Sequence, residues 1–152
     1  SLLVEWLRFL REKKPRFAIY ENVKNITGSR FRPIFERFIK ELEDYGYHVY
    51  WQVLNAKHYG IPQNRERVYC VIIRKDLDNG KFKFPDPIPL KKTLADMLDD
   101  QVDERYYLPD DKVAAMITPP PLRPISKTVR SGGRGSTDQH SWDLLSFRCE
   151  AE

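Results

Sequence analysis

Tyr59-Gly60-Ile61-Pro62-Gln63-Asn64-Arg65-Glu66-Arg67 runs directly into Val68-Tyr69-Cys70-Val71-Ile72-Ile73. The second half of this stretch is apolar at nearly every position, so the strand it predicts, about Arg67–Arg74, is apolar on both faces and belongs in a covered, central place in a sheet. The preceding strand-type run is about His48–Leu54. No helix-length segment separates the two, and a parallel connection requires one, so the 67–74 strand is expected to run antiparallel to its neighbour.

Working outward, Ile34, Phe35, Phe38, Ile39, Leu42 and Tyr45 recur at helical spacing, and Gly46 stands where a helix would end. Ahead of them, Phe17-Ala18-Ile19-Tyr20 reads as a strand that ends in Glu21-Asn22-Val23. Strand, helix and strand in that order form one right-handed βαβ crossover, with both strands parallel in one sheet. The chain opens on Leu2, Leu3, Trp6, Leu7 and Leu10, again helical, followed by Arg11, Lys13 and Lys14 near a helix C-terminus and by Pro15 as its stop. Beyond Asp76 the character changes. Phe82, Phe84 and the prolines at 85, 87 and 89 read as an extended exit from the sheet. Short helices are expected near Thr93–Leu98 and Asp110–Ile117, with Thr93 and Asp110 as N-caps, and Pro119-Pro120-Pro121 forms a stiff linker.

Composition narrows the function classes. Twenty-six basic against 22 acidic residues give a net charge of only +4 over 152 residues, so distribution carries more than the total. Residues 1–75 hold fifteen basic and eight acidic side chains, 76–118 six and ten, and 122–136 hold Arg123, Lys127, Arg130 and Arg134 without an acid. The two cysteines lack metal-ligand spacing, which argues against a zinc or disulfide framework and for a reducing compartment. No apolar run approaches the roughly 18 residues of a membrane span, and no secretory signal opens the chain. These features read as cytoplasmic or nuclear.

Three segments together resemble the DNA cytosine-5 methyltransferase family: Glu21-Asn22-Val23, the 55–67 stretch around Tyr59-Gly60-Ile61-Pro62-Gln63, and Lys127-Thr128-Val129-Arg130-Ser131-Gly132-Gly133-Arg134-Gly135-Ser136. The likeness extends over nearly the whole chain. The family's glycine-rich cofactor motif, Pro-Cys nucleophile loop and C-terminal motifs have no counterpart here. The resemblance therefore implies an α/β, partial Rossmann-like methyltransferase sheet, with two parallel strands, one antiparallel strand and flanking helices, followed by an irregular start of a target-recognition region. It divides the chain into 1–84, the C-terminal half of a catalytic domain; 85–121, a linker with short helices; and 122–152, the beginning of target recognition. It also implies S-adenosylmethionine as the complete enzyme's cofactor and double-stranded DNA as partner. The missing N-terminal half and C-terminal motifs would be supplied in cis or in trans, with no membrane involved.

The chemistry gives the residues roles. Carbon 5 of cytosine is a poor nucleophile until a thiolate adds to carbon 6, and that addition is easier when an acid protonates or hydrogen-bonds ring nitrogen 3. By resemblance Glu21 is that acid. It lies at the C-terminal end of a strand, where open α/β sheets bind ligands, and the apolar residues before it would raise its proton affinity by desolvation. The family pattern assigns Arg67 to the flipped base and Arg65 to the active-site loop or a phosphate. If the strand has begun by Arg65, the two arginines share a side. Asn22, Val23 and Gln63 match structural positions of the motifs. Cys70, mid-strand, reads as a small buried hydrophobe, and Cys149 lacks the Pro-Cys context, so no nucleophile is expected in this chain.

Lys127, Thr128, Arg130, Ser131 and Arg134 combine cations, hydroxyls and glycines in a way that suits DNA phosphates, and arginine can also read guanine. Two functions stay open: a DNA cytosine-5 methyltransferase present as an incomplete, inactive piece, and a non-catalytic DNA-binding or regulatory module derived from one.

Overall fold

The computed structural model describes residues 2–106 and 124–127. In chain order its elements are α1 (Leu2–Lys13), β1 (Phe17–Val23), α2 (Arg32–Asp44), β2 (Tyr47–Asn55), β3 (Gln63–Asn64), β4 (Glu66–Arg74) and β5 (Ser126–Lys127), with short 3-10 turns at Lys24–Thr27, Ala56–His58, Ala95–Met97 and Glu104–Tyr106. They fall into two compact units, Ser1–Asn55 with Glu66–Asp86, and Ala56–Arg65 with Pro87–Glu152.

In the first unit the sheet order is β1-β4-β2, with β4 antiparallel to both neighbours. The strands joined through α2 thus run in the same direction, as the crossover pattern predicts. The late strand inserts between them, in the central position that its two-faced apolar sequence requires. Helix boundaries have identifiable causes. α1 stops before Pro15, with Lys14 in the left-handed region at φ 45°. α2 starts without a side-chain cap but has Pro33 in its first turn, and the chain leaves it through Gly46 at φ 94°, a conformation that glycine adopts without a Cβ penalty.

The core lies on one face of this sheet. Leu10 of α1, Phe35, Phe38 and Leu42 of α2, Tyr47 of β2 and Val68, Cys70 and Ile72 of β4 form a single buried cluster. Alternation along β4 places Val68, Cys70 and Ile72 on the helix-covered side, and their partners across β1 continue it through Ala18, Tyr20 and Asn22. An aromatic chain knits the layers: the Tyr20 and Phe38 rings are 4.8 Å apart and Trp6 packs 5.5 Å from Tyr20. Ile34, expected on the inward face of α2, is 55% exposed instead. It lies one residue before the buried Phe35, on the rim of a groove between α1 and α2.

The opposite face of β1 is open, with Phe17 59%, Ile19 68% and Val23 49% exposed. Along β2 the same face is partly covered by the segment that follows β4, where Phe82 packs on Tyr50. This segment is fastened by Asp78. The Tyr50 hydroxyl donates to its carboxylate at 2.6 Å, His48 Nδ1 lies 2.7 Å from the same oxygen, and the Gly80 N–H donates to the other oxygen at 2.9 Å. The Tyr50 hydrogen bond first, then the Gly80 N–H, hold the Asp78 carboxyl below the usual aspartate range, against the opposing effect of burial. A carboxyl lowered on folding contributes stability that is fully present above its unfolded value, about 3.9, and is lost as pH falls through the lower folded value. Acid titration of unfolding should therefore show wild type losing stability below about pH 4 more steeply than Asp78→Asn. Parallel curves would remove Asp78 as the fastening.

In the second unit, β3 pairs with β5 in parallel register, Gln63 with Ser126 and Asn64 with Lys127. Ser126 N–H donates to Pro62 O at 2.8 Å and Leu94 N–H to Pro124 O at 2.8 Å, so residues 124–127 are tied back to two earlier segments. Gly60, at φ 83°, makes the turn into this arrangement, with Tyr59 bridging Ile88 beside it. The helix expected at Thr93–Leu98 is reduced to one turn, Ala95–Met97. Thr93 does not cap it by accepting backbone N–H groups. Asp96 reaches back instead, accepting from both the Thr93 N–H and its hydroxyl at 2.7 and 2.8 Å. Only Leu94 is buried in this stretch, while Met97 and Leu98 are exposed, so a longer helix would have no apolar face to cover. The expected Asp110–Ile117 helix lies outside the described residues.

Candidate active site

Glu21 and Arg67 come together where β1 and β4 meet. The register pairs Glu21 with Tyr69 and Val23 with Arg67, so Glu21 and Arg67 are diagonal neighbours on one face of the sheet. Arg67 Nε and Glu21 Oε1 form an ion pair at 3.0 Å, with the guanidinium side chain 16% and the carboxylate side chain 43% exposed. A second guanidinium nitrogen donates to the Glu66 carbonyl at 2.8 Å. The arginine is thus held at two points, and its remaining donors are available to a further acceptor. The apolar surroundings expected around Glu21 are not what it meets. It stands on the open face, and its nearest charged partner is a cation.

Asn22 points to the other side, as strand alternation requires. Its amide donates to the Tyr20 hydroxyl, and its carbonyl oxygen accepts the Val23 N–H at 2.7 Å. The middle residue of the Glu21-Asn22-Val23 string therefore ties the strand end to the Trp6-Tyr20-Phe38 aromatic cluster, whereas Val23 is surface-facing. One residue further on, Lys24 and Glu66 form a second ion pair, with Lys24 Nζ 2.9 and 3.0 Å from the two Glu66 carboxylate oxygens. Sequence reading passed over this pair. The register exposes it, because Lys24 and Glu66 are the next positions after Val23 and Arg67.

β4 begins at Glu66, so the alternation that would place Arg65 and Arg67 on one side does not extend to Arg65. Arg65 belongs to the second unit with Gln63. There the Arg65 carbonyl accepts from Ala56 N–H at 3.0 Å and the Arg65 N–H donates to Gln63 O at 3.0 Å. Gln63 is a strand residue of β3, held by backbone pairing to Ser126. Lys127 follows in β5, and Thr128, Arg130, Ser131 and Arg134 lie outside the described residues. Cys70 is fully buried, and burial pushes its thiol up to about 12, so it is no source of thiolate. Cys149 lies outside the described residues. Among the described residues no three His, Cys, Asp or Glu side chains are grouped to hold a metal, and no helix is long and apolar enough to cross a membrane.

A mixed sheet whose late strand inserts antiparallel, with helices on one face, is the architecture of a methyltransferase domain in part. Solved structures share it. A mutant of Spodoptera frugiperda DNMT2 superposes with a TM-score of 0.60 at 22% identity, covering 78% of this chain and 38% of that one. The S. pombe Dnmt2 methyltransferase gives 0.57 at 19% identity, covering 82% and 42%. The chain belongs to the C-5 cytosine-specific DNA methylase family, whose model matches residues 1–134. Among curated relatives it is similar to the type II methyltransferase M2.ScrFI of Lactococcus lactis subsp. cremoris, 41% identical over 114 residues that make up 75% of this chain and 31% of the relative. It is likewise similar to M.Bsp6I of Bacillus sp. (strain RFL6), 46% identical over 115 residues, 74% and 36%. M.MthTI of Methanothermobacter thermautotrophicus is 35% identical over 147 residues, 96% and 44%. The chain thus spans between 31% and 44% of the length of these relatives.

Proposed function

We propose that this chain is the central-to-recognition part of a DNA cytosine-5 methyltransferase of restriction-modification type, transferring a methyl group from S-adenosylmethionine to carbon 5 of a flipped-out cytosine in duplex DNA. The single observation that carries the reading is the Glu21–Arg67 pair at the β1–β4 strand ends. It sets an acid and a fixed hydrogen-bond donor side by side, the two functions that a flipped cytosine needs at ring nitrogen 3 and at its carbonyl oxygen. Arg65 would serve the active-site loop or a phosphate. Lys127, Thr128, Arg130, Ser131 and Arg134 would contact DNA, with Lys127 on the backbone and an arginine on a base.

On this reading residues 1–84 belong to the catalytic domain, 85–121 link it and 122–152 begin target recognition. Missing are the nucleophilic cysteine and the cofactor's glycine-rich loop, so the 152-residue chain alone neither methylates DNA nor binds the cofactor tightly. The setting we propose is cytoplasmic, in keeping with the bacterial sources of these type II methyltransferase relatives.

The test uses the complete enzyme, meaning residues 1–152 joined to the segments its relatives carry beyond the matched stretch. Arg67→Ala should weaken the flipped-base complex by about tenfold or more, the usual order for a lost hydrogen bond to a charged group. This is read as 2-aminopurine fluorescence at the target position. Unchanged flipping would remove Arg67 from the base site, and robust tritium transfer by the 152-residue chain alone would overturn the incomplete-enzyme reading.

A further inference from the structure

Strand register fixes which side chains surround the Glu21–Arg67 ion pair. Residues directly opposite each other in an antiparallel ladder share a face, and so do residues two apart along one strand. Glu21 stands opposite Tyr69, and Val23 opposite Arg67. These four residues are therefore the corners of one cell of the open face, with cross-strand Cβ separations of about 5 Å and a spacing of about 7 Å along each strand. The Arg67–Glu21 contact at 3.0 Å closes a diagonal of that cell, as side chains on one face can. The proposed function occupies two of the corners, Glu21 and Arg67, and Val23 is a surface-facing aliphatic. Tyr69 is the remaining corner.

Tyr69 has no structural task that accounts for its type. It is half-buried and lies outside the helix-side core cluster, which takes Val68 and Cys70 on either side of it in β4. The ring contacts on the helix side of the sheet, such as Tyr20 with Phe38, and those of Tyr50 with the segment after β4 both pass it by. Across β4 its partner on β2 is the exposed Gln52, so no second ring flanks it there. Among the described residues its hydroxyl takes no hydrogen-bond partner. A partly open aromatic ring thus stands beside an acid and a guanidinium. An extruded pyrimidine needs both kinds of group, hydrogen-bonding side chains for its polar edge and an apolar surface for its ring.

We propose that Tyr69 is a base-contacting residue: its ring is the platform against which the flipped cytosine rests while Glu21 and Arg67 hold the polar edge. The inference rests on the base-flipping reading of the Glu21–Arg67 pair and adds a contact to the face of the base that the pair does not supply. The ring rather than the hydroxyl carries the role, because every base offers a π-face to an aromatic surface.

The test compares two duplexes bound to the complete enzyme, one with cytosine at the target position and one with an abasic site there. Tyr69→Leu keeps an apolar side chain on the strand and removes the ring. On the cytosine duplex it should weaken binding by about fivefold to a hundredfold, the order for one base stacked on an aromatic side chain, and 2-aminopurine fluorescence at the target should fall with it. On the abasic duplex, which has no base to hold, its affinity should stay within about threefold of wild type. Tyr69→Phe should match wild type on both duplexes. Equal weakening of Tyr69→Leu on the two duplexes overturns the proposal, because the loss would then belong to the fold. Undiminished binding and flipping in Tyr69→Leu also overturns it, as does a loss in Tyr69→Phe as large as in Tyr69→Leu. If Tyr69→Leu does not fold, photocrosslinking of the unsubstituted enzyme to a duplex with 5-iodocytosine at the target decides: the crosslinked peptide must contain Tyr69, and a crosslink elsewhere overturns the proposal. Failure of the underlying reading has its own signature, absence of the 2-aminopurine signal in wild type, whereas wild-type flipping with an unaltered Tyr69→Leu strikes the Tyr69 inference alone.

Discussion

Turnover of the complete enzyme carrying Glu21→Gln is expected to fall by about 10² to 10⁴, the usual contribution of a positioned general acid, while DNA affinity changes little. Glutamine is nearly isosteric and can still donate a hydrogen bond, but it cannot give up a proton to ring nitrogen 3. The substitution therefore isolates proton transfer from mere contact. It also removes the anionic partner of Arg67, whose Nε lies 3.0 Å from Glu21 Oε1. The flipped-base signal of Glu21→Gln should accordingly be compared with that of Arg67→Ala. Single-turnover methylation is the deciding measurement. A rate within about threefold of wild type, a change worth well under 1 kcal/mol, would mean that Glu21 is not the acid.

The second large effect concerns folding. Phe38→Ala should cost about 3–5 kcal/mol, because a phenylalanine buried to 3% exposure leaves a cavity as well as losing its transfer free energy. Its ring packs against Tyr20 at 4.8 Å, Trp6 at 5.8 Å and Phe35 at 6.3 Å, so α1, β1 and α2 all lose a shared partner. Domains of this kind have total stabilities of about 5–15 kcal/mol, so such a loss leaves a large unfolded population. Denaturant titration should show a sharply lower midpoint. Ile34→Ala, four residues earlier and 55% exposed, should stay within about 0.5 kcal/mol of wild type. Similar midpoints for the two variants would refute the one-sided core.

Much of the first unit was legible in the sequence because its signals are periodic. Apolar residues at helical spacing closed by Pro15 and by Gly46 predict α1 and α2, and the two-faced apolar run from Val68 predicts a central β4. What the sequence did not disclose depends on register. Glu21 meets Arg67 along a diagonal, and Lys24 meets Glu66 across a separation of 42 residues. Neither spacing leaves a local pattern. The same holds for Asp78, which joins Tyr50 and His48 from beyond β4. The strand was expected from about Arg67, and Arg65 was to share a side with Arg67 only if the strand had begun by then; β4 begins at Glu66, so that condition is not met. The stretch at Thr93–Leu98 looked helical from its end residues, but a helix needs an apolar face to bury and only Leu94 has one. Glu21 and Arg67 were singled out as candidates by motif resemblance. Their mutual contact was not.

β1 combines two properties that are seldom left together in a stable monomer. Among the described residues it is an edge strand, with one side paired to β4, and its uncovered face carries Phe17, Ile19 and Val23. An edge with unpaired backbone groups and an apolar surface is a template for association. For the separately produced chain, association through this seven-residue strand is the expected outcome despite a net charge of +4. A single charge placed at Ile19 would act as a gatekeeper against edge-to-edge stacking while leaving the helix-side core untouched.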